Sequence, residues 1–375
     1  MDVLIAGASM AGLSAAHWFA HLGHRVTVVE RADGLRQGGA PIDVRGDALG
    51  TAERMGILDR INRSQVTPEG AWPVLDESGR QVASLDLRWF ANETDEDIEI
   101  SRDRLNDILL DVVPANVEFL FSTSLTALDD GPRHIDVTLS DGTSRRFDLV
   151  VGADGLHSTV RRLAFGPESD YVRHIGYYVA LVNLPSDRDW QKAMLNVPGL
   201  TVVVRDAGDG PLAMMLAASP ELDYDYRDVP AQRAIIDDFL SRVDAWQLPE
   251  LRAAFADPAA QGFYFDSVSQ THMPRWTEGH VAVIGDAAHC AALLSGLGTS
   301  LALRSAELLA LTWTEYGGDV DAVSKNYHER LRPYVDKCQT FATEGAPIMV
   351  PPTQDALERR NAMLRDVASQ AADAR

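Results

Sequence analysis

Two short apolar runs, each ending at glycine and each followed by helix-like sequence, constrain this chain more than any other feature. One opens it: Val3-Leu4-Ile5-Ala6-Gly7-Ala8-Ser9-Met10-Ala11-Gly12. The other comes late: Val281-Ala282-Val283-Ile284-Gly285-Asp286-Ala287-Ala288-His289, followed by Gly296-Leu297-Gly298. Apolar runs this short that stop at glycine read as buried parallel strands. A strand that turns directly into a helix presents bare backbone N–H groups and the positive end of a helix dipole, which suits an anion. Two such turns far apart in one chain suggest one long ligand gripped at several points. A dinucleotide such as FAD has that shape and charge.

The first run belongs to a β-α-β unit. A strand over 2–6 leads into a helix from about residue 11 to residue 23, whose inner face carries Ala15, Ala16, Phe19, Ala20 and Leu22; Arg25-Val26-Thr27-Val28-Val29 is the second strand. Gly7 serves the tight turn, and Gly12 lets the helix pack close to the strand. Ser9 stands where a glycine usually admits the pyrophosphate, and its hydroxyl can donate to a phosphate instead; Met10 and Ala11 follow it at the helix start. Glu30 closes the unit 18 residues after Gly12, placed to accept from the adenosine ribose hydroxyls. Its neighbour Arg31 can reach adenine or a phosphate.

Further along, residues 34–46 form a glycine-rich loop near the ligand, containing Gly39 and Ala40, and 66–90 alternate like a hairpin about Glu77-Ser78-Gly79-Arg80. A helix spans 102–113, and strands are expected near 117–121, 134–139 and 146–151. The last of these ends in Gly152-Ala153-Asp154-Gly155-Leu156-His157-Ser158-Thr159-Val160-Arg161, again a strand running into a helix. There Ser158 is a candidate cap; Asp154 acts near the pyrophosphate through backbone N–H groups or a bridging water, or simply forms a turn. From about 170 to 275 the texture changes to alternating segments at 175–184, 200–205, 212–217 and 262–270, interrupted by one helix at about 231–245. Helices follow at about 299–316, 319–339 and 353–371. The expected fold is α/β: a Rossmann-like dinucleotide-binding domain (1–67, 101–169 and 276–340), an inserted, mainly antiparallel sheet for substrate (68–100 and 170–275) and a C-terminal helical segment (341–375).

In the late segment Asp286 can bind ribityl hydroxyls. Backbone N–H groups of the stretch Gly296, Leu297, Gly298, Thr299 and Ser300, at the start of a helix, can face a flavin pyrimidine ring and stabilise negative charge there. With 55 acidic against 34 basic residues, the net charge of −21 argues against nucleic acid or an anionic membrane surface as partner. Cys290 and Cys338 make no disulfide framework or zinc pattern. No apolar run approaches the roughly 18 residues of a membrane span, and the strand at residue 2 leaves no room for a signal peptide, so a cytoplasmic protein is expected. His17, His21 and His24 are spaced like metal ligands but read as a solvated polar helix face, and His289 reads as structural. Trp72, Trp89, Tyr177, Tyr178, Met214, Met215, Phe263 and Phe265 supply candidates for an aromatic pocket, with Tyr178, Met215, Phe265 and Leu294 singled out as substrate contacts.

The three glycine segments, in this order, resemble the group A flavoprotein monooxygenases, the p-hydroxybenzoate hydroxylase-like family. Gly38-Gly39-Ala40-Pro41-Ile42-Asp43-Val44 and Ile100-Ser101-Arg102-Asp103-Arg104-Leu105 resemble the small tetracycline-inactivating flavin monooxygenases within it. The sequence departs from the family at Leu293, usually proline, at Ser300, usually asparagine, and at Ser305, commonly acidic. The resemblance implies FAD, contacted by Arg102, with NADPH or NADH as transient reductant. It implies O2 and hydroxylation of a phenolic or polycyclic, polyketide-like small molecule through a flavin C4a-hydroperoxide, with no obligate side-chain acid or base. Antibiotic or secondary metabolism is the expected setting, for a monomer or homodimer. An epoxidising or Baeyer–Villiger outcome, a flavin reductase, and a redox sensor without oxygenation stay open as alternatives.

Overall fold

The computed structural model describes residues 1–35, 38, 40–66, 71–85 and 97–373. Its first sheet has six strands in the order Thr277–Glu278, Val281–Val283, Leu149–Gly152, Asp2–Ala6, Arg25–Val29, Glu118–Leu120. All neighbours run parallel except the edge pair Thr277–Glu278 and Val281–Val283. Val3, Leu4 and Ile5 are fully buried, as a strand covered on both faces requires. The helices Met10–His21 and Gly298–Glu315 pack against one another beside this sheet. Ser144–Phe147, Ile135–Leu139 and Leu125–Asp130 form a small antiparallel sheet. Ile42–Val44 pairs antiparallel with Ile98–Ile100.

The second large sheet has seven strands in the order Tyr264–Thr271, Val172–Asn183, Pro211–Ala218, Leu200–Asp206, Ala193–Val197, Trp72–Leu75, Gln81–Leu85. It is antiparallel apart from the contact of Ala193–Val197 with Trp72–Leu75. Two helices, Val229–Leu240 and Leu248–Ala256, cover its back through Ile236, Phe239, Leu248, Leu251 and Phe255. The alternation had suggested one helix here, and Pro249 at the start of the second is in a position that helices accept. The strand Ala193–Val197 was also missed. All five of its residues are buried, so it lacks the polar alternation of a half-exposed strand.

Val320–Met349 is one continuous helix despite Pro333 and Pro347, so the expected boundary at 340 falls inside it. His17 is not on a solvated face: it is buried and its Nδ1 bonds the Val112 carbonyl at 2.9 Å, which ties its helix to Arg102–Val112. Among the described residues no cluster could hold a metal, and no helix is long and apolar enough to cross a membrane. The first turn depends on bare backbone. A methyl group on Gly12 would overlap the Gly7 carbonyl, and one on Gly7, at φ +104°, would overlap the Ala153 carbonyl. Gly12→Val is expected to destabilise the fold by about 3 kcal/mol, read as a lower midpoint in urea unfolding.

Candidate active site

One cavity of about 1420 Å³ runs from the first glycine turn to the front of the seven-stranded sheet. Gly7, Ser9, Met10, Ala11, Glu30 and Arg31 line one end, with Ala40, Arg102, Asp154, Asp286, Gly296, Gly298 and Thr299 further along. The N–H groups of a helix's first turn have no intrahelical acceptor, and Ser9 does not cap its helix with its own side chain. Its hydroxyl instead accepts from Arg102 Nη2 at 3.2 Å. Glu30 accepts from the N–H groups of Ala8 and Ala32, at 2.9 Å each, which fixes the carboxylate beside the turn. Asp286 is exposed on the cavity wall, with buried residues on either side of it in the chain. The surrounding protein pushes its carboxyl above the usual range, against a hydrogen bond with Cys290 and the charge of Arg102.

Several expected residues sit elsewhere. Gly12 serves packing under the turn and does not line the cavity. Leu297 is buried and its N–H is taken by Ser295 Oγ at 3.0 Å. Ser300 is buried too, and its Oγ accepts from the Arg45 N–H at 2.9 Å. Asp154 does line the cavity, but its carboxylate caps the helix Thr159–Ala164, accepting from Ser158 Oγ and from the N–H groups of Thr159 (2.7 Å) and Val160 (3.1 Å). Ser158 in turn accepts from the Arg161 N–H, as a cap should. Gly39 and Trp89 lie outside the described residues.

The substrate candidates divide by strand parity. Side chains on successive residues of a strand point to opposite faces. The register places Tyr264, Leu181, Met214 and Val203 in one cross-strand row and Phe265, Ala180, Met215 and Val202 in the next. Leu181, Met214 and Tyr264 line the cavity, with Val179, Leu212 and Leu216 on the same face. Met215, Phe265 and Tyr178 point the other way, into the core behind the sheet. Those three expected contacts are therefore one residue out of phase. Leu294 and Trp72 do line the cavity, and Ile348 and Met349 close it from the helix Val320–Met349.

Two charged groups were not expected. Asp43 bonds Arg45 at 2.8 Å, and Arg205 makes a two-point contact with Glu99 at 2.7 and 2.8 Å. Asp43 and Glu99 are directly opposed in the register of the two-stranded sheet. Burial pushes the Asp43 carboxyl up to about 6; Arg45 opposes the rise and Glu99 adds to it. Arg205 shares a strand face with Thr201 and Val203, both buried, so a charge in phase with buried side chains was the available signal. The second group centres on His157, whose Nδ1 meets Glu168 at 2.9 Å and whose Nε2 meets Asp266 at 3.1 Å, with Tyr226 stacked on its ring. Arg161 extends this group, reaching Glu168 at 3.1 Å and the Ala287 carbonyl at 2.9 Å. The group joins the two large sheets across the cavity wall. His289, by contrast, is fully buried and held neutral, its pKa pushed down by burial to about 3.

A family model described as "FAD binding domain" matches residues 1–342. The chain belongs to this FAD-binding family of flavin-dependent monooxygenases. It is 37% identical to an uncharacterized protein of Mycobacterium tuberculosis (strain ATCC 25618 / H37Rv), over 95% of this chain and 96% of that one. It is 30% identical to a flavin-dependent monooxygenase of an unknown prokaryotic organism, over 99% and 97%. The crystal structure of tetracycline destructase Tet(55) is similar at a TM-score of 0.83 and 29% identity, covering 96% of this chain and 94% of that one. The protein is thus an FAD-dependent oxidoreductase of the monooxygenase type.

The His157 group has a pH signature. Burial lowers the imidazole's proton affinity, but hydrogen bonds and charge from Asp266 and Glu168 outweigh it and raise the pKa to about 9. A folded pKa above the unfolded one, about 6.5, gives stability that is complete below pH 6.5 and is lost as pH rises through about 9. The stability advantage of the parent over His157→Gln should therefore shrink by on the order of 2–3 kcal/mol between pH 6 and pH 10, measured by urea unfolding across that range.

Proposed function

We propose that this protein uses NAD(P)H and O2 to oxygenate a largely apolar, phenolic or polycyclic small molecule, with hydroxylation the favoured outcome. The observation that carries this reading is the continuity of one cavity, polar with exposed helix starts at one end and walled by a row of aliphatic side chains at the other. FAD, when bound, would accept a hydride from NAD(P)H and supply the means of activating O2.

The residues present fit that cofactor. Glu30 and Arg31 would hold the adenosine end. The first-turn N–H groups after Ser9, with Arg102, would meet the pyrophosphate. The Asp286 carboxylate would accept from ribityl hydroxyls, and the start of the helix Gly298–Glu315, which lacks a side-chain cap, would face the pyrimidine edge. Val179, Leu181, Leu212, Met214 and Leu216 would exclude water from the reacting end, which guards an oxygenating site against wasteful release of peroxide. Arg205 and Glu99 neutralise one another, so this end of the cavity suits polar but uncharged substituents and orients the ring between them.

Purified protein is expected to show flavin absorbance, and NADPH or NADH should bleach it anaerobically, faster in the presence of one member of a phenolic and polyketide panel. A chain that takes up no FAD when it is supplied would end this reading. Asp286→Ala should weaken FAD at least tenfold by flavin fluorescence titration, about 1.4 kcal/mol or more. The two sheet faces should separate in kinetics. Met214→Ala is expected to raise KM for the substrate severalfold with little loss of Tm. Met215→Ala should cost about 2–5 kcal/mol of stability while leaving KM near that of the parent; the reverse pattern would place the substrate elsewhere.

A further inference from the structure

Arg45 is a buried cation in an unusual place. Its side chain is only 6% exposed. Its guanidinium lies against Gly296, so that a Cβ there would sit 2.9 Å from Nη1, and its own N–H is held by Ser300 at 2.9 Å. Gly296 and Ser300 bracket the start of the helix Gly298–Glu315, an 18-residue helix with no side-chain cap. A helix N-terminus carries roughly half a positive charge. A second positive group buried against it is unfavourable unless negative charge is present. Asp43 supplies some, at 2.8 Å from Nη2, yet Nε is buried with no hydrogen-bond partner among the described residues. Arg45, Asp43, Gly296, Gly298 and Thr299 all face the cavity. The helix start and the arginine together therefore favour more anionic charge than Asp43 provides.

We propose that Arg45, partly balanced by Asp43, is an electrostatic tuning residue for the FAD, favouring its reduced anionic form over its oxidised form. This rests on the FAD reading of the cavity, with the pyrimidine edge at the start of Gly298–Glu315. Reduction transfers two electrons and one proton from NAD(P)H to the ring as a hydride, leaving NAD(P)+ and one negative charge on the flavin. That new charge meets Arg45 and the helix dipole in a low-dielectric setting, where fixed charges act strongly. The carboxylate of Asp43 works in the opposite direction, so the two residues set the balance between them.

The test is the two-electron reduction potential of FAD-loaded protein, measured by anaerobic dye equilibration for the parent, Arg45→Met, Arg45→Lys and Asp43→Asn. Arg45→Met should weaken reduced FAD relative to oxidised FAD at least tenfold, which for a two-electron couple lowers the potential by about 30 mV or more. Asp43→Asn should shift it upward, and Arg45→Lys, which keeps the charge, should stay near the parent. Opposite signs for the two charge-removing variants separate electrostatic tuning from general loosening of the site. If Arg45→Met fails to fold or to hold FAD, Asp43→Asn decides alone: an upward shift supports the proposal, and no shift or a downward one overturns it. Potentials that all agree within threefold in relative affinity also overturn it. Failure of the parent to bind FAD would instead overturn the cofactor reading beneath it.

Discussion

Everything functional in this molecule hangs on backbone approaching backbone at the first turn. Gly7 donates to the Val29 carbonyl at 2.8 Å, and Ala153 donates to the Ala6 carbonyl at the same distance. The helix Met10–His21 leans close enough that Gly12 cannot carry a side chain. These contacts bring the ends of three parallel strands and the start of one helix to a single edge. Ligands bind in open α/β sheets at the carboxyl ends of the strands, because the helix starts gather there. Gly152 and Gly285 bring the later segments to the same edge, and Arg161 joins those two through the Ala287 carbonyl. The cavity is the space that this convergence leaves.

Charge is then handled locally rather than by the overall balance. The chain is strongly acidic, but the cavity wall carries Arg31, Arg45, Arg102 and Arg205 alongside its carboxylates. Burying an ion pair gains little net stability, since desolvation consumes much of the Coulomb attraction. The pairs Asp43–Arg45 and Glu99–Arg205 are therefore better understood as fixing position and local potential, whereas His157–Asp266 also adds stability while the imidazole is charged. The first adjoins the helix start, the second the aliphatic face, and the third the join between the two large sheets. Under the proposed function, each would lie beside a different part of the bound cofactor or substrate.

The dinucleotide half was legible in the sequence because glycine constraints and apolar strand ends are local. Gly7, Gly12 and Glu30 occupy places that short-range geometry dictates. Helix caps were half legible: Ser158 read correctly as a cap, but the capping carboxylate of Asp154 did not, since an acid four residues upstream can serve turn, ligand or helix. The sheet face was harder. Alternation showed that Val179 to Leu181 and Met214 to Leu216 form strands, but not which phase faces the ligand. That depends on whether helices cover the back, and the helix Leu248–Ala256 went unread. Choosing large aromatics favoured Tyr178 and Phe265, which fill the back core where big rings pack best. The ion pairs of Arg205 with Glu99 and His157 with Asp266 span more than a hundred residues and depend on register alone.

The last wall of the cavity shows why the C-terminal helices belong to the active site and not to an appendage. Gln339 donates to the carbonyls of Thr271 (2.8 Å) and Cys290 (3.2 Å), while Gln270 donates back to the Gln339 carbonyl at 2.7 Å. These groups are buried, and a buried amide left unpaired costs about 1–3 kcal/mol, so the helix Val320–Met349 has one favoured seat. It is pinned again at its end, where Thr201 Oγ1 donates to the Met349 carbonyl at 2.7 Å. Arg360, on the next helix Gln354–Asp373, bonds the Ile348 carbonyl at 3.1 Å and Asn196 at 2.9 Å. One helix thus bonds an edge strand of the seven-stranded sheet, the late glycine segment and the far side of the same sheet. Ile348 and Met349 owe their place over the aliphatic row to these directional bonds. The wall at the aliphatic end of the cavity is in this way a consequence of polar pairing outside it.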